Sequence, residues 1–258
     1  MDLEYVKRVG VGAAIKAADV LRSKLGRLTE IEKKGEIDLV TEADKESEKI
    51  IIESILSRFP DHSILAEETG YNEGNVDCKW IIDPLDGTTN YAHQLGLFSV
   101  SIAFEYKGDV VAGIVLNPVT GELFSAVKGG GASLNGKPIH ISNTESMEDS
   151  LLVTGFPYNF KEIIKPLLTR FENCLKASRG VRRLGSAALD LCYVACGRFD
   201  GFWEQNLKPW DTAAGVLIAV EAGATVTCFS DTPFSIYKNE ILATNGRIHK
   251  EMIALLEI

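Results

Sequence analysis

Trp80-Ile81-Ile82-Asp83-Pro84-Leu85-Asp86-Gly87-Thr88-Thr89-Asn90-Tyr91 is the stretch of this chain in which apolar strand gives way to acid. The run Trp80, Ile81, Ile82 reads as a buried strand, and it ends in a Pro- and Gly-containing turn that packs two carboxylates and a hydroxyl between Asp83 and Thr88. Asp83 and Asp86 lie close on that turn and repel each other. A site that holds both ionised calls for a cation between them, and a divalent metal is the natural candidate. The plainer reading is an Asx/Pro turn that caps a short helix at Gly87 and Thr88.

Toward the N-terminus, Val6, Val9, Ala13, Ala17, Val20 and Leu21 recur at helical spacing, which predicts an amphipathic helix over 3–25, stopped by Gly26. Thr41 and Asp44 fit a capping box that opens a second helix running to Phe59-Pro60. Ser63 to Ala66 predicts a short strand that runs into Glu67 and Glu68, followed by a polar loop up to Cys78. Adjacent strand residues point to opposite faces, so only one of the two glutamates can look into a site shared with Asp83.

Toward the C-terminus, strands over 99–104, 110–116, 123–127 and 137–141 are separated by turn residues, which predicts an antiparallel meander. Gly129-Gly130-Gly131 lacks the order of a nucleotide-binding loop and reads as a turn. Strands and helices then alternate: strand 151–154, helix 161–177, strand 181–183, helix 186–196, strand 200–204, and an apolar helix opened by Trp210-Asp211-Thr212 with Asp211 as its N-cap. One or two strands (225–229, 241–243) and a last helix after Arg247 complete the chain, with no repeat or low-complexity tract.

With 258 residues, 45% hydrophobic and 24% charged, the composition suits one large or two closely packed domains. A net charge of -9 argues against nucleic acid as the main partner, since phosphate neutralisation needs clustered Lys and Arg. No basic-apolar leader opens the chain and no apolar run approaches the roughly 20 residues that span a bilayer, so the expectation is a cytoplasmic protein with no membrane partner. The five cysteines lack CxxC spacing and read as reduced thiols, and the four histidines form no ligand or nucleophile pattern.

Glu67, Asp83, Asp86 and Asp211 thus all stand at the ends of buried elements, where side chains leave a rigid core for a cleft. The segments Trp80 to Asn90 and Trp210-Asp-Thr-Ala-Ala-Gly215 resemble the two signature motifs of the inositol monophosphatase family, in matching order and separation. Asp38-Leu-Val-Thr-Glu-Ala-Asp44, Ala66-Glu67-Glu68 and Leu184-Gly-Ser-Ala-Ala188 are similar to that family as well, so the resemblance covers nearly the whole chain.

The resemblance implies an α/β (α+β) chain folded as a five-layered αβαβα sandwich, the sugar-phosphatase fold shared with fructose-1,6-bisphosphatase. It implies a single catalytic domain over 1–258, in which 1–145 carries most metal ligands and 146–258 contributes Asp211 and substrate residues. It implies a phosphomonoesterase using two to three Mg²⁺ ions, sensitive to lithium and homodimeric. Glu67, Asp83, Thr88 and the Leu85 carbonyl would bind one ion, Asp83, Asp86 and Asp211 a second, and Glu67 a third near Lys33 or Lys34. Thr88, linked to Asp44, would activate water, with Glu67 assisting and no covalent intermediate. The backbone of Gly87 and Thr88 would hold phosphate, while Asp86, Gly185, Ala187, Glu204 and Asp211 would contact the alcohol. Myo-inositol monophosphate is the expected substrate. Fructose 1,6-bisphosphate and histidinol phosphate are alternatives, as is a regulatory binding role, since the Gly155–Tyr158 and Gln205–Pro209 segments depart from the animal enzymes of the family and bacterial relatives are linked to transcription.

Overall fold

The computed structural model describes residues 1–27, 31–33, 39–157 and 159–258. Lys34, Asp38 and Tyr158 lie outside the described residues, as does the side chain of Lys33, and the expectation of a lysine near a third metal falls there with them.

The order of elements is α1 (Leu3–Lys24), β1 (Ile31–Lys33), β2 (Leu39–Thr41), α2 (Glu42–Leu56), β3 (His62–Ala66), β4 (Gly70–Asn72), β5 (Asn75–Asp86), α3 (Thr88–Ala92), β6 (Ser99–Tyr106), β7 (Asp109–Leu116), β8 (Leu123–Val127), β9 (Ala132–Leu134) and β10 (Lys137–Pro138). There follow β11 (Leu151–Thr154), α4 (Ile164–Ala177), β12 (Gly180–Arg182), α5 (Ala187–Ala195), β13 (Gly201–Gln205), α6 (Pro209–Glu221), β14 (Thr225–Thr227), β15 (Glu240–Thr244) and α7 (His249–Leu256). Among the described residues, no helix is long and apolar enough to cross a membrane.

Two sheets organise the molecule. The first runs β10-β9-β8-β7-β6-β5-β3-β4 and the second β12-β11-β13-β15-β14. In the first, the predicted meander pairs antiparallel throughout, and only β3 and β5 run parallel. In the second, β11 is parallel to both neighbours, while β15 is antiparallel to β13 and β14.

Three apolar cores separate the layers. Helices α1 and α2 cover one face of the first sheet through Ala13, Ala17, Leu21, Ile51 and Ile55, packed on Trp80, Ile82, Phe104 and Ile114. The opposite face, with Ile81, Ala103 and Phe124, meets α5 and α6, which also bury against Val153, Phe202 and Ala243 of the second sheet. The outer face of that sheet packs Leu152, Trp203 and Leu242 on Cys174 of α4 and Met252 and Leu256 of α7. This is the expected five-layered αβαβα sandwich. Helices α5 and α6 touch both sheets, which is why they are apolar on nearly every side. Gly215 lets them meet, since a Cβ there would fall 2.8 Å from Leu191 Cβ.

Several boundaries differ from expectation. β5 is not confined to Trp80–Ile82: it pairs with β6 from Cys78 opposite Tyr106 to Asp86 opposite Ser99, so ladder hydrogen bonds carry strand geometry through the acidic turn. The loop expected before Cys78 holds β4, which folds back on β3 with Tyr71 opposite Leu65. α4 starts at Ile164 rather than 161, after a turn in which Phe160 N–H bonds the Pro157 carbonyl and Ile163 N–H that of Phe160. The triglycine segment is a turn whose Gly129 and Gly131 N–H groups donate to the Glu221 carboxylate at 2.7 and 2.9 Å. The five cysteines are free thiols.

Candidate active site

β3 and β5 run parallel with Ala66 opposite Ile82, so Glu67, one residue past β3, arrives beside Asp83. The Glu67 N–H donates to the Ile82 carbonyl at 3.2 Å, which extends the ladder by one step. Beyond Asp83 the pairing with β6 slips, and this bulge re-aims the chain into the cleft. Asp83 is 2% exposed, and its Oδ1 accepts from Leu85 N–H at 3.0 Å. Gly87 follows with φ +100°, and a Cβ there would stand 3.1 Å from the carbonyl oxygens of both Gly185 and Leu97, so the turn excludes a side chain.

Thr88 opens α3 with its Oγ1 at 3.1 Å from both Asp44 Oδ1 and the Leu85 carbonyl oxygen. A hydroxyl has one proton, so it donates to only one of these at a time. Asp44 keeps its capping-box role as well, since its Oδ2 accepts from Thr41 N–H at 2.8 Å and Thr41 Oγ1 at 2.6 Å.

Asp86 straps β5 to the start of α5. Its Oδ2 accepts from the Ser186 hydroxyl, from Ala188 N–H at 2.9 Å and from Ser99 Oγ at 3.4 Å. Ser186 is the N-cap of α5, and Gly185 before it takes φ +94°. In α6, Asp211 is not the N-cap expected from its position. Pro209 occupies the first turn, Lys208 precedes it as N-cap, and Asp211 stands at the third helical position, where its Oδ2 accepts from Lys208 N–H at 2.7 Å. Glu204, on β13, is buried.

These segments enclose a cavity of about 200 Å³. Its walls include Glu67, Asp83, Leu85, Asp86, Gly87, Thr88, Gly185, Ala187, Glu204 and Asp211, so every predicted site residue but one reaches it. The exception is Asp44, which lies behind Thr88 and meets the wall of the cavity through that hydroxyl. Glu67 lines the cavity and Glu68, the next residue of the turn after β3, does not.

Burial, then repulsion from Glu67, Asp86 and Asp211, pushes the Asp83 carboxyl well above its usual range. Burial does the same to Asp211, opposed by the Lys208 N–H bond and reinforced by Asp86 and Glu67. Asp86 is raised to about 6 by burial, against the bonds from Ser186 and the α5 backbone. Glu204 is raised to about 8 by burial and by Asp211, with Arg183 opposing. Asp44 is raised to about 6 by burial, with the Thr41 bonds opposing.

Arg183 and Lys208 are the basic side chains of the lining. The cavity therefore holds more carboxylate than its own cations neutralise, a surplus that added cations would relieve. Among the described residues, no three His, Cys, Asp or Glu side chains form a ready-made metal cage. The donors here are carboxylate, hydroxyl and carbonyl oxygens, the set a hard cation takes.

Sequence reading missed Asp190. This wall residue is 1% exposed, has no hydrogen-bond partner among the described residues on either carboxylate oxygen, and is pushed well above the usual range by burial, Glu204 and Asp86. Its signal was a lone acid inside the apolar run of α5. Ser186 was also missed as the anchor of Asp86, because an N-cap serine looks the same whether or not a distant carboxylate uses it.

The sequence profile of the inositol monophosphatase family matches residues 2–258. The chain is 46% identical over 255 residues to an inositol-1-monophosphatase of Synechocystis sp., covering 97% of this chain and 88% of that protein. It is 39% identical over 262 residues to the Nus factor SuhB of Pseudomonas aeruginosa, covering 99% and 97%. A crystal structure of the extragenic suppressor protein suhB from Bartonella henselae superposes with a TM-score of 0.94 at 39% identity, covering 98% of each chain. On sequence and fold together, the chain belongs to the inositol monophosphatase family.

Proposed function

We propose that this phosphomonoester hydrolase works with Mg²⁺ and takes myo-inositol monophosphate as its substrate. The carrying observation is the surplus of carboxylate at one end of the cavity, Glu67, Asp83, Asp86 and Asp211, beside the buried acid Glu204. Bound divalent cations would neutralise the phosphoryl oxygens and make a water nucleophilic near neutral pH. Glu67, Asp83, Thr88 and the Leu85 carbonyl would hold one ion, and Asp83, Asp86 and Asp211 a second.

In this reading the chain's own groups orient and move protons. Thr88 passes its hydroxyl proton toward Asp44 and accepts one from the attacking water through the same oxygen, so Asp44 is the base at one remove. The Gly87 and Thr88 N–H groups receive phosphate oxygens. Glu204, with the backbone at Gly185 and Ala187, takes hydroxyls of the leaving alcohol. Ser186 is no nucleophile here, since its hydroxyl is committed to Asp86. The protein is a cytoplasmic homodimer in this proposal.

Phosphate release from a panel of phosphomonoesters, run with Mg²⁺ and repeated with Li⁺, tests it. The expected result is the highest kcat/KM on myo-inositol 1-phosphate, above fructose 1,6-bisphosphate and histidinol phosphate, with inhibition by Li⁺. No release from any substrate in saturating Mg²⁺ sinks the proposal.

Similarity to relatives named Nus factor SuhB over nearly the full chain favours a second, protein- or RNA-binding role beside catalysis. Asp83→Asn separates the two: a partner retained by a variant that no longer releases phosphate establishes the binding role.

A further inference from the structure

Three buried polar residues of α2, Asp44, Ser47 and Glu48, share one face of the helix, three and four positions apart. Each reaches a different segment of the site. Asp44 takes the Thr88 hydroxyl. Ser47 Oγ donates to the Pro84 carbonyl at 2.8 Å, inside the bulge between Asp83 and Asp86. Glu48 Oε2 accepts from Glu68 N–H at 2.8 Å and its Oε1 from Thr69 N–H at 2.9 Å, the two peptide groups that follow Glu67.

Glu48 is 1% exposed and does not line the catalytic cavity. A buried carboxylate is costly unless its oxygens are bonded, and both oxygens of Glu48 are spent on consecutive backbone N–H groups. The consequence is mechanical. The peptide before Glu67 is tied to Ile82 of β5 through the Glu67 N–H, and the two peptides after it are tied to α2, so the Glu67 backbone is bracketed on both sides. The 67–69 turn joins β3 to β4, whose pairing sets Ala66 opposite Gly70, and Glu67 is its first residue.

We propose that Glu48 is a positioning residue for the metal end of the site: it clamps the 67–69 turn to α2 and so holds the Glu67 carboxylate opposite Asp83. Ser47 makes the matching clamp on the 83–86 bulge, and α2 thereby becomes the common frame on which both ligand segments are set. The inference rests on the reading of Glu67 and Asp83 as Mg²⁺ ligands.

Glu48→Gln is nearly isosteric, yet its amide can accept only one of the two N–H bonds and turns a donor toward the other. Residues that orient metal ligands typically change metal affinity by about 10–100-fold when altered. The expected result is Mg²⁺ affinity about tenfold or more weaker, read by titration calorimetry on the substrate-free protein and by the Mg²⁺ concentration giving half-maximal activity, with KM for the phosphomonoester at saturating Mg²⁺ unchanged. Ile55→Val, a core change on the same helix, is the control. It lowers the melting temperature and leaves Mg²⁺ affinity alone.

A Glu48→Gln protein that melts earlier but binds Mg²⁺ as the parent does overturns the inference, leaving the phosphatase reading intact. An equal affinity loss in Ile55→Val also overturns it, since any loosening of α2 would then suffice. A parent protein that binds neither Mg²⁺ nor Mn²⁺ overturns both readings together.

Discussion

Thr88 Oγ1 donates to Asp44 Oδ1 at 3.1 Å, joining the first residue of α3 to the first turn of α2 within the wall of the cavity. The other oxygen of Asp44 is held by Thr41, so the carboxylate cannot swing away and its free side is presented to one hydroxyl. Asp44→Asn removes the proton acceptor while keeping the shape. The expected outcome is a fall in kcat of about 10²–10⁴-fold with KM and Mg²⁺ affinity preserved, measured by steady-state kinetics and calorimetry. Thr88→Ala should lose at least as much, because it breaks the relay and removes a proposed ligand together. Equal activity in Asp44→Asn would remove Asp44 from the chemistry and leave it as a cap.

Asp83→Asn should separate stability from function. Asp83 is buried and repelled by Glu67, Asp86 and Asp211, and asparagine keeps an Oδ1 acceptor for the Leu85 N–H. In EDTA the variant is expected to melt higher, by about 2–4 °C for each ~1 kcal/mol of repulsion relieved. Phosphate release should be lost, along with the rise in melting temperature that Mg²⁺ gives the parent. Calorimetric scans with and without Mg²⁺ check both halves of the prediction.

Burial of three carboxyls in and behind the cavity wall gives the metal-free protein a pH dependence. Unfolded, aspartates ionise near 3.8 and glutamates near 4.5, whereas in the folded chain Asp44 and Asp86 ionise at about 6 and Glu204 at about 8. Between those values the folded state binds more protons than the unfolded one, so stability falls as pH rises from about 4 to about 8. Melting temperatures in EDTA should drop across that window. Saturating Mg²⁺ should flatten the slope, because cations then stabilise the ionised carboxylates. A metal-free protein that grows more stable from pH 5 to 8 would contradict the prediction.

Gly155 packs against the Glu204 carboxylate so closely that a Cβ would fall 2.1 Å from Glu204 Oε2. Gly155→Ala must push Glu204 aside. If Glu204 receives a hydroxyl of the alcohol, KM for a polyol phosphate should rise by about tenfold, while an aryl phosphate, which lacks that hydroxyl, should be hydrolysed as before. Parallel kinetics on the two substrates give the test, and equal losses on both would place Glu204 outside alcohol recognition.

Much of the site was legible because its residues sit where periodicity stops. Glu67 follows the apolar strand β3, Asp83 and Asp86 close β5, and Asp211 stands in the first turn of an apolar helix, so each acid was marked by a change of pattern. Asp190, Ser186 and Glu48 carried no such mark. An acid in the middle of an apolar helix, a serine at a helix start and a glutamate on an amphipathic helix are ordinary in isolation; what marks them is distant in the chain, Asp86 bonded to Ser186, Glu68 bonded to Glu48, and the charges of Glu204 and Asp86 bearing on Asp190. The extent of β5 was misread for a related reason, since its outer residues are strand only because β6 supplies the ladder.

By itself the sequence determined the long helices, the antiparallel meander and the αβαβα arrangement implied by its motifs, because hydrophobic period, capping residues and motif spacing are local properties of the chain. Tertiary structure decided that Asp44 lies behind Thr88 rather than on the cavity wall, that Asp86 is strapped to α5, and that α2 bonds both the 67–69 turn and the 83–86 bulge. Those outcomes depend on strand register and on which buried donors find which acceptors. Burial makes an unpaired polar group costly, so the packed fold settles each pairing over distances that no local pattern records.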